Sequence, residues 1–400
     1  MRGQYRWLVL AVGVLAQAAL SAFHQGLPAI GPELQRHFHV GLVQTGALLS
    51  AVAAGITLTL ALWGSLADRF GERAVLAAGL AGAALALSAA ALLQGSYAGM
   101  FGALVVAGML GSCANAASGR AVMVWFGAHQ RGTALGIRQM ATPLGGAAAA
   151  LALPFLALRF GVAGALWGLA AACLAAAVAC GAALRRRSPP RAGGGNTPLR
   201  DLRLWRLALG GSLIVAGQLS LITYLVLFLN QHRGLLLAAA ALVLTLCQLG
   251  GAAARVLAGA WSDRLGERIR PMRWLAAGGG LLLLLTALVA EGPLVLLVPV
   301  LLVTTVVCMS TNGLAFTATG ELAGTERAGV AMGFQNTWLF ISGALAPIAF
   351  GAVVAAFGWR AGFGLMCVLA FAGWALLAPL RGHERAGWAK AVTAPNIPSG

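Results

Sequence analysis

The sequence predicts an all-α membrane protein whose twelve transmembrane helices form two six-helix halves, with both termini cytoplasmic. Three observations predict it. Sixty per cent of the 400 residues are hydrophobic and 9% are charged, against about 25% charged in an average soluble domain. The apolar residues gather in twelve runs, near 7–27, 42–62, 74–93, 98–126, 133–157, 162–184, 205–229, 235–258, 274–290, 294–318, 328–356 and 360–380. As helices, runs of this length cross a hydrocarbon core about 30 Å thick; their continuity, without alternation at period two, favours helices over a barrel. Finally, one loop occurs twice, as GSLADRFGER from Gly64 to Arg73 and as GAWSDRLGER from Gly259 to Arg268. A second echo pairs RGTALGIRQ from Arg131 with RAGVAMGFQN from Arg327. Self-similarity at half the chain length means two homologous halves.

The first run carries Gln17, Ser21 and His24. With Arg2 and Arg6 ahead of it, this run also fits a secretory signal, but it is long for one, and the repeat needs it as a first transmembrane helix. The repeated loop separates the second and third runs. The fourth and fifth carry Asn115, Ser118, Arg120 and Arg138, and the sixth closes a half spanning 1–184. Residues 185–204 hold RRRSPPRAGGGNTP; proline, glycine and charge together make this a cytoplasmic linker. The second half spans 205–381 and a polar tail occupies 382–400. Most of the 27 Arg and Lys lie in the N-terminus, the tail, the linker and the loops on one side. The opposite loops hold Arg36, Arg159, Arg233 and Arg360. That asymmetry is a topology signal for the cytoplasmic (inner) membrane, and it removes the nucleic-acid reading that a net charge of +17 invites. The six cysteines lie within the apolar runs without metal-ligand spacing and read as packing residues.

Gly64-x-Leu66-Ala67-Asp68-Arg69-x-Gly71-x-Arg73, with its partner at Gly259, Asp263, Arg264, Gly266 and Arg268, resembles the signature loop of the major facilitator superfamily. The resemblance covers essentially the whole chain. It implies two six-helix bundles that rock around a central cavity. It also implies that Gly64, Asp68, Arg69, Gly71, Arg73, Gly259, Asp263 and Arg264, joined by Arg120, latch the cytoplasmic side shut. Elementary chemistry agrees with the latch: glycine permits a sharp turn, Asp68 suits a helix N-terminus, and arginine pairs with carboxylates. The blander reading is a solvated turn that enforces topology.

Arg120, Arg138 and Arg255 lie inside predicted spans, where an arginine costs roughly 2.5–3.5 kcal/mol and usually faces a cavity or a partner. Arg255-x-x-x-Gly259-x-x-x-Asp263 resembles the eighth helix of nitrate/nitrite exchangers and monocarboxylate transporters, which implies an arginine on the anionic group of a substrate. Leu60 stands where the nitrate exchangers carry a second arginine. Arg255 and Arg138 are therefore each either substrate ligands or braces of the gate. The fifth run departs from the glycine–proline signature of drug/proton antiporters, having Thr142-Pro143-x-Gly145-Gly146, and is similar to the Ser-Pro-x-Gly version of monocarboxylate carriers.

None of the ten carboxylates lies deep within a run. A cavity with arginines and no compensating acid attracts anions. The resemblance assigns the cavity wall to the first, fourth, seventh and tenth helices, which offer Asn115, Gln218, Tyr224 and Asn312, with Gln335 and Asn336 on the eleventh. The groups open to a coupling proton are His24, Asp68 and Glu321. The expectation is a secondary transporter, monomeric in the lipid bilayer, moving a small-molecule substrate of organic-anion type by alternating access. The alternatives are a multidrug or metabolite exporter of the same fold and a non-transporting sensor. No cofactor, no metal ligands and no enzyme motif are found in the sequence.

Overall fold

The computed structural model describes residues 2–118, 128–184, 201–323 and 328–380. Arg120 and the side chain of Asp68 lie outside the described residues. Twelve helices are described in chain order: α1 Arg2–Gly26, α2 Gly31–Phe38, α3 Leu42–Leu92, α4 Tyr97–Gly111, α5 Ala128–Ala183, α6 Leu202–Leu227, α7 Leu237–Leu265, α8 Ile269–Val289, α9 Leu294–Met309, α10 Asn312–Ala323, α11 Ala328–Phe357 and α12 Trp359–Leu376. No strand occurs among the described residues. Among the described residues eleven segments are long and apolar enough to cross a membrane, where the sequence predicts twelve. The difference lies in one segment: the fifth and sixth runs are continuous as Ile137–Ala183, 47 residues long. At 1.5 Å per residue that is about 70 Å, twice a bilayer core, and the helix is broken inside by Gly161 at φ 71°.

The backbone carries its own repeat. Among the described residues six have positive φ, namely His39, Gly71, Gly161, Gly234, Gly266 and Gly358. They form three pairs half a chain apart: His39 with Gly234, Gly71 with Gly266, and Gly161 with Gly358. Gly71 kinks α3 inside the first signature loop at φ 80°, ψ 164°. Gly266 ends α7 in the left-handed conformation of the second loop, its N–H bonded to the Asp263 carbonyl at 3.2 Å. A side chain at either position meets the steric cost that glycine lacks. The Phe160-Gly161 and Phe357-Gly358 turns are an echo too short to stand out in the sequence.

The apolar cores follow the chain. One cluster runs from Val9 to Leu184 and takes in only Phe340 from the rest. Two further clusters lie mainly between Leu207 and Leu380. Outward-facing leucines such as Leu58, Leu85 and Leu158 are about 70% exposed; such bands suit lipid and would be a liability in water. Helix α6 is the central element, every residue from Gly210 to Leu227 except Leu213 being buried.

The two ends of the bundle differ. At the end bearing α2, the halves are joined: Tyr224 Oη donates to the Leu42 carbonyl at 2.8 Å and Gln231 Nε2 to the Pro32 carbonyl at 3.5 Å. Tyr224 also packs on Phe350 and Trp359. At the end bearing the repeated loops, a Cβ added to Gly64, Gly259 or Gly333 would meet no atom within 4 Å.

Outside the spans, at the joined end, His232 Nε2 donates to Glu291 Oε1 at 2.8 Å, and Arg233 Nη1 lies 3.3 Å from Oε2. The His232 hydrogen bond, with the charges of His232, Arg233 and Arg360, holds the Glu291 carboxyl below the usual carboxylate range, against an opposing effect of burial second in size to that hydrogen bond. A depressed carboxylate stabilises the fold above its unfolded pKa and loses that contribution as pH falls through the folded value. The stability difference between wild type and Glu291→Gln is therefore full at pH 6 and shrinks below about 4.5, the ordinary value for glutamate. Because the pair is exposed, the difference stays within about 1 kcal/mol. Thermal melts of both proteins from pH 6 to 4 check it; a gap that widens toward acid contradicts the assignment.

Candidate functional site

Between the halves lies a cleft with about 620 Å³ of empty space, part of it open solvent. Its wall is built from helix faces. Gln17, Ser21, His24 and Gln25 recur at helical spacing along α1, and Arg138, Gln139 and Thr142 do so on α5. Facing them are Gln218 on α6, Arg255 on α7, Asn312 and Phe316 on α10, and Asn336, Leu339 and Phe340 on α11. Asn115 completes the wall from the helical stretch 113–118. Gly145 lets α5 lie against α1: a Cβ there would stand 2.4 Å from the Ala18 carbonyl oxygen.

The sequence expectations divide here. Arg138 and Arg255 both line the cavity. Arg138 Nη1 donates to Gln17 Oε1 and Ser118 Oγ, each at 3.3 Å, and Nη2 to Gln139 Oε1 at 3.5 Å. Its Nε is buried without a partner. Arg255 Nε donates to the Met309 carbonyl at 3.1 Å, and no carboxylate pairs with either guanidinium among the described residues. Both arginines are held by neutral acceptors, so their charge is oriented without being neutralised. Asn115, Gln218, Asn312, Asn336 and His24 also reach the cavity. Asn312 Nδ2 donates to Gln218 Oε1 at 3.1 Å, and the His24 ring lies 5.7 Å from that of Phe340.

Three expected residues stand elsewhere. Tyr224 is outside the cavity, in the aromatic cluster of the joined end, because its hydroxyl finds the Leu42 carbonyl there. Gln335 is buried behind the wall, where Thr319 Oγ1 donates to its Oε1 at 3.5 Å; one residue along the helix turns it about 100° away from Asn336. Glu321 sits by the second signature loop, 3.1 Å from Arg268 Nε.

In the signature loops, Arg268 is the hub that sequence reasoning left unassigned. It pairs with both Asp263 and Glu321 and donates to Ser262 Oγ at 3.0 Å. Its equivalence to Arg73 in the repeat was the available signal. Arg69 lies over the Phe70 ring at 5.3 Å, and Arg73 and Arg264 are exposed. Asp263 is exposed beside them. Gln25, Gln139, Thr142, Phe316, Leu339 and Phe340 are wall residues not singled out as ligands from sequence; Gln25 was findable from its place eight residues after Gln17 on one helix face.

The family model described as Major Facilitator Superfamily matches residues 10–347. Proteins named as uncharacterized MFS-type transporters in two strains of Mycobacterium tuberculosis are each 36% identical over 358 residues, covering 87% of this chain and 79% of theirs. Among solved structures, a bacterial homolog of the human lysosomal transporter Spinster superposes in its inward-facing and occupied conformation with a TM-score of 0.76 at 15% identity, over 94% of this chain and 97% of that one. The same homolog in its inward-facing and unoccupied conformation gives 0.69 at 15% identity over 99% of each chain.

Proposed function

Since this chain belongs to the major facilitator superfamily and is a membrane solute transporter, we propose that its substrate is a small organic anion carried by alternating access. One observation carries the reading: two guanidinium groups, Arg138 and Arg255, line the central cavity, and none of its lining residues is acidic. In a low-dielectric cleft an uncompensated positive pair concentrates anions, and the planar fork of arginine matches a carboxylate.

The molecule crosses the bilayer twelve times in this reading, the 47-residue segment crossing twice around Gly161, with residues 1–184 and 205–381 as the two bundles. The basic residues place the repeated loops and both termini on the cytoplasmic face of an inner membrane. The joined end is then external and the end bearing the repeated loops cytoplasmic, which makes the conformation inward-facing in this reading. Transport requires the joined end to part and the signature loops to close on each other. Asp68, Arg69, Arg73, Asp263 and Arg264 meet their partners in that closed state, and Arg120 acts with them. A coupling proton uses His24 in the cavity wall or Asp68. The Arg268 pair keeps Glu321 occupied. The transporter works as a monomer.

The test is counterflow. Proteoliposomes loaded with unlabelled carboxylates accumulate the labelled compound, and Arg255→Gln lowers this by about 10- to 100-fold, the worth of a charge-assisted hydrogen bond. Counterflow of a lipophilic cationic dye, indifferent to Arg255→Gln, sinks the anion reading in favour of a drug exporter. Binding without any counterflow points to a sensor.

A further inference from the structure

The cavity wall is not satisfied by protein alone. Four buried atoms on lining residues have no hydrogen-bond partner: Arg138 Nε, Asn115 Nδ2, Gln25 Oε1 and Asn312 Oδ1. Two are donors and two are acceptors. Gln25 and Asn312 are 5% and 8% exposed, so bulk water does not solve the problem from outside. Behind Gln25, the fully buried Gln248 of α7 has both amide atoms unpaired. It packs so close that a Cβ on Gly146 would lie 2.6 Å from Gln248 Nε2 and 3.1 Å from Gln25 Cβ. Gln25 and Gln248 thus set unmet polarity side by side where α1 and α7 approach Gly146. Buried polar groups left unpaired are costly, and a site built with them favours the ligand that completes them.

Resting on the anion reading above, we infer that the substrate is a hydroxycarboxylate, its anionic group held by Arg138 and Arg255 and its hydroxyl donating to Gln25 Oε1. A plain carboxylate offers acceptors only. It meets Arg138 Nε and Asn115 Nδ2 and leaves both amide oxygens dry. A ligand ammonium would donate to those oxygens, but no carboxylate lines the cavity to balance its charge. A neutral hydroxyl on an anion fulfils both demands, and Phe316, Leu339 and Phe340 supply apolar surface for its carbon chain.

The experiment uses the purified full chain and matched pairs of ligands: gluconate with hexanoate, and 3-hydroxybutyrate with butyrate. Affinity is read from the rise in melting temperature with ligand concentration. In wild type the hydroxy member of at least one pair binds about tenfold tighter, the worth of one completed buried hydrogen bond. In Gln25→Leu the members of that pair bind within about twofold of each other, while Gln25→Asn keeps part of the preference. Arg255→Gln weakens both members together. If Gln25→Leu does not fold, Gln25→Met, unbranched and of the same length, carries the same reading. Equal binding within both pairs in wild type, or a preference that survives loss of the Gln25 amide, overturns the hydroxycarboxylate assignment and leaves an anion carrier standing. Stabilisation by tetraphenylphosphonium and by none of the four acids overturns both.

Discussion

A valine at Gly46 holds the α2 end of the molecule open. Gly46 on α3 and Gly351 on α11 bracket the Tyr224 hydroxyl: an added Cβ would lie 1.8 Å from Tyr224 Oη at the first and 2.2 Å at the second. The phenol therefore fills a slot whose walls come from both halves, and its hydrogen bond to the Leu42 carbonyl closes it. Tyr224 is 1% exposed and packed on Phe350 at 5.2 Å, so it cannot swing aside. Overpacking of this kind costs about 1–3 kcal/mol. Because the cost falls only on the joined state, the equilibrium moves toward the parted one by roughly 5- to 150-fold. Spin labels at Arg36 and Leu236, exposed positions on opposite halves of this end, report the change as growth of a longer-distance population. In a Tyr224→Ala background the main obstacle is gone, leaving the Pro347 carbonyl oxygen at 3.2 Å from the added Cβ, and adding Gly46→Val shifts the distances far less. A variant that melts lower while its distances stay put would show the slot to be ordinary packing, with no part in the transition.

An alanine at Gly55 or Gly108 damages the molecule itself, leaving the balance between its states alone. Helices α3 and α4 approach through these two glycines reciprocally. A Cβ on Gly55 would lie 2.0 Å from the Val105 carbonyl oxygen, and one on Gly108 would lie 2.2 Å from that of Val52. Both obstacles are backbone, which has no rotamer to give, so the helices must separate along their length. Transmembrane helices associate through close packing of small residues, without a hydrophobic force between them. Each single alanine is expected to cost about 1–3 kcal/mol, seen as a lower melting temperature and a lower yield of folded protein. Gly64→Ala is the matched control, since nothing lies within 4 Å of its added Cβ. If Gly108→Ala melts with wild type, the approach of the two helices is looser than described.

The candidate site was legible wherever charge or period made it so. Arg138 and Arg255 stood out because a guanidinium inside an apolar run needs a reason, and the reason is a cavity. Gln218, Asn312 and His24 followed from polar side chains in spans whose polarity needs partners. Tyr224 misled because a phenol is amphipathic: the same residue suits a wet cavity or a dry seam, and only the nearby Leu42 carbonyl decides between them. Gln335 and Asn336 are adjacent, equally polar and about 100° apart on a helix; one faces the cavity and the other Thr319. Arg268 was hidden by its two partners, since Glu321 lies more than fifty positions away along the chain.

From the sequence alone came the membrane setting, the helical class, the internal repeat and the family, because each depends on composition, run length or a spacing read along one dimension. The six positive-φ positions show how deep that repeat goes, with Gly71 and Gly266 already marked by their loops. Tertiary structure decided where the halves are joined, which polar faces converge on one cavity, and which amide atoms there lack partners. Those are properties of facing surfaces: a helix's period fixes which residues share a stripe, while the neighbour that stripe meets depends on the packing of the other helices.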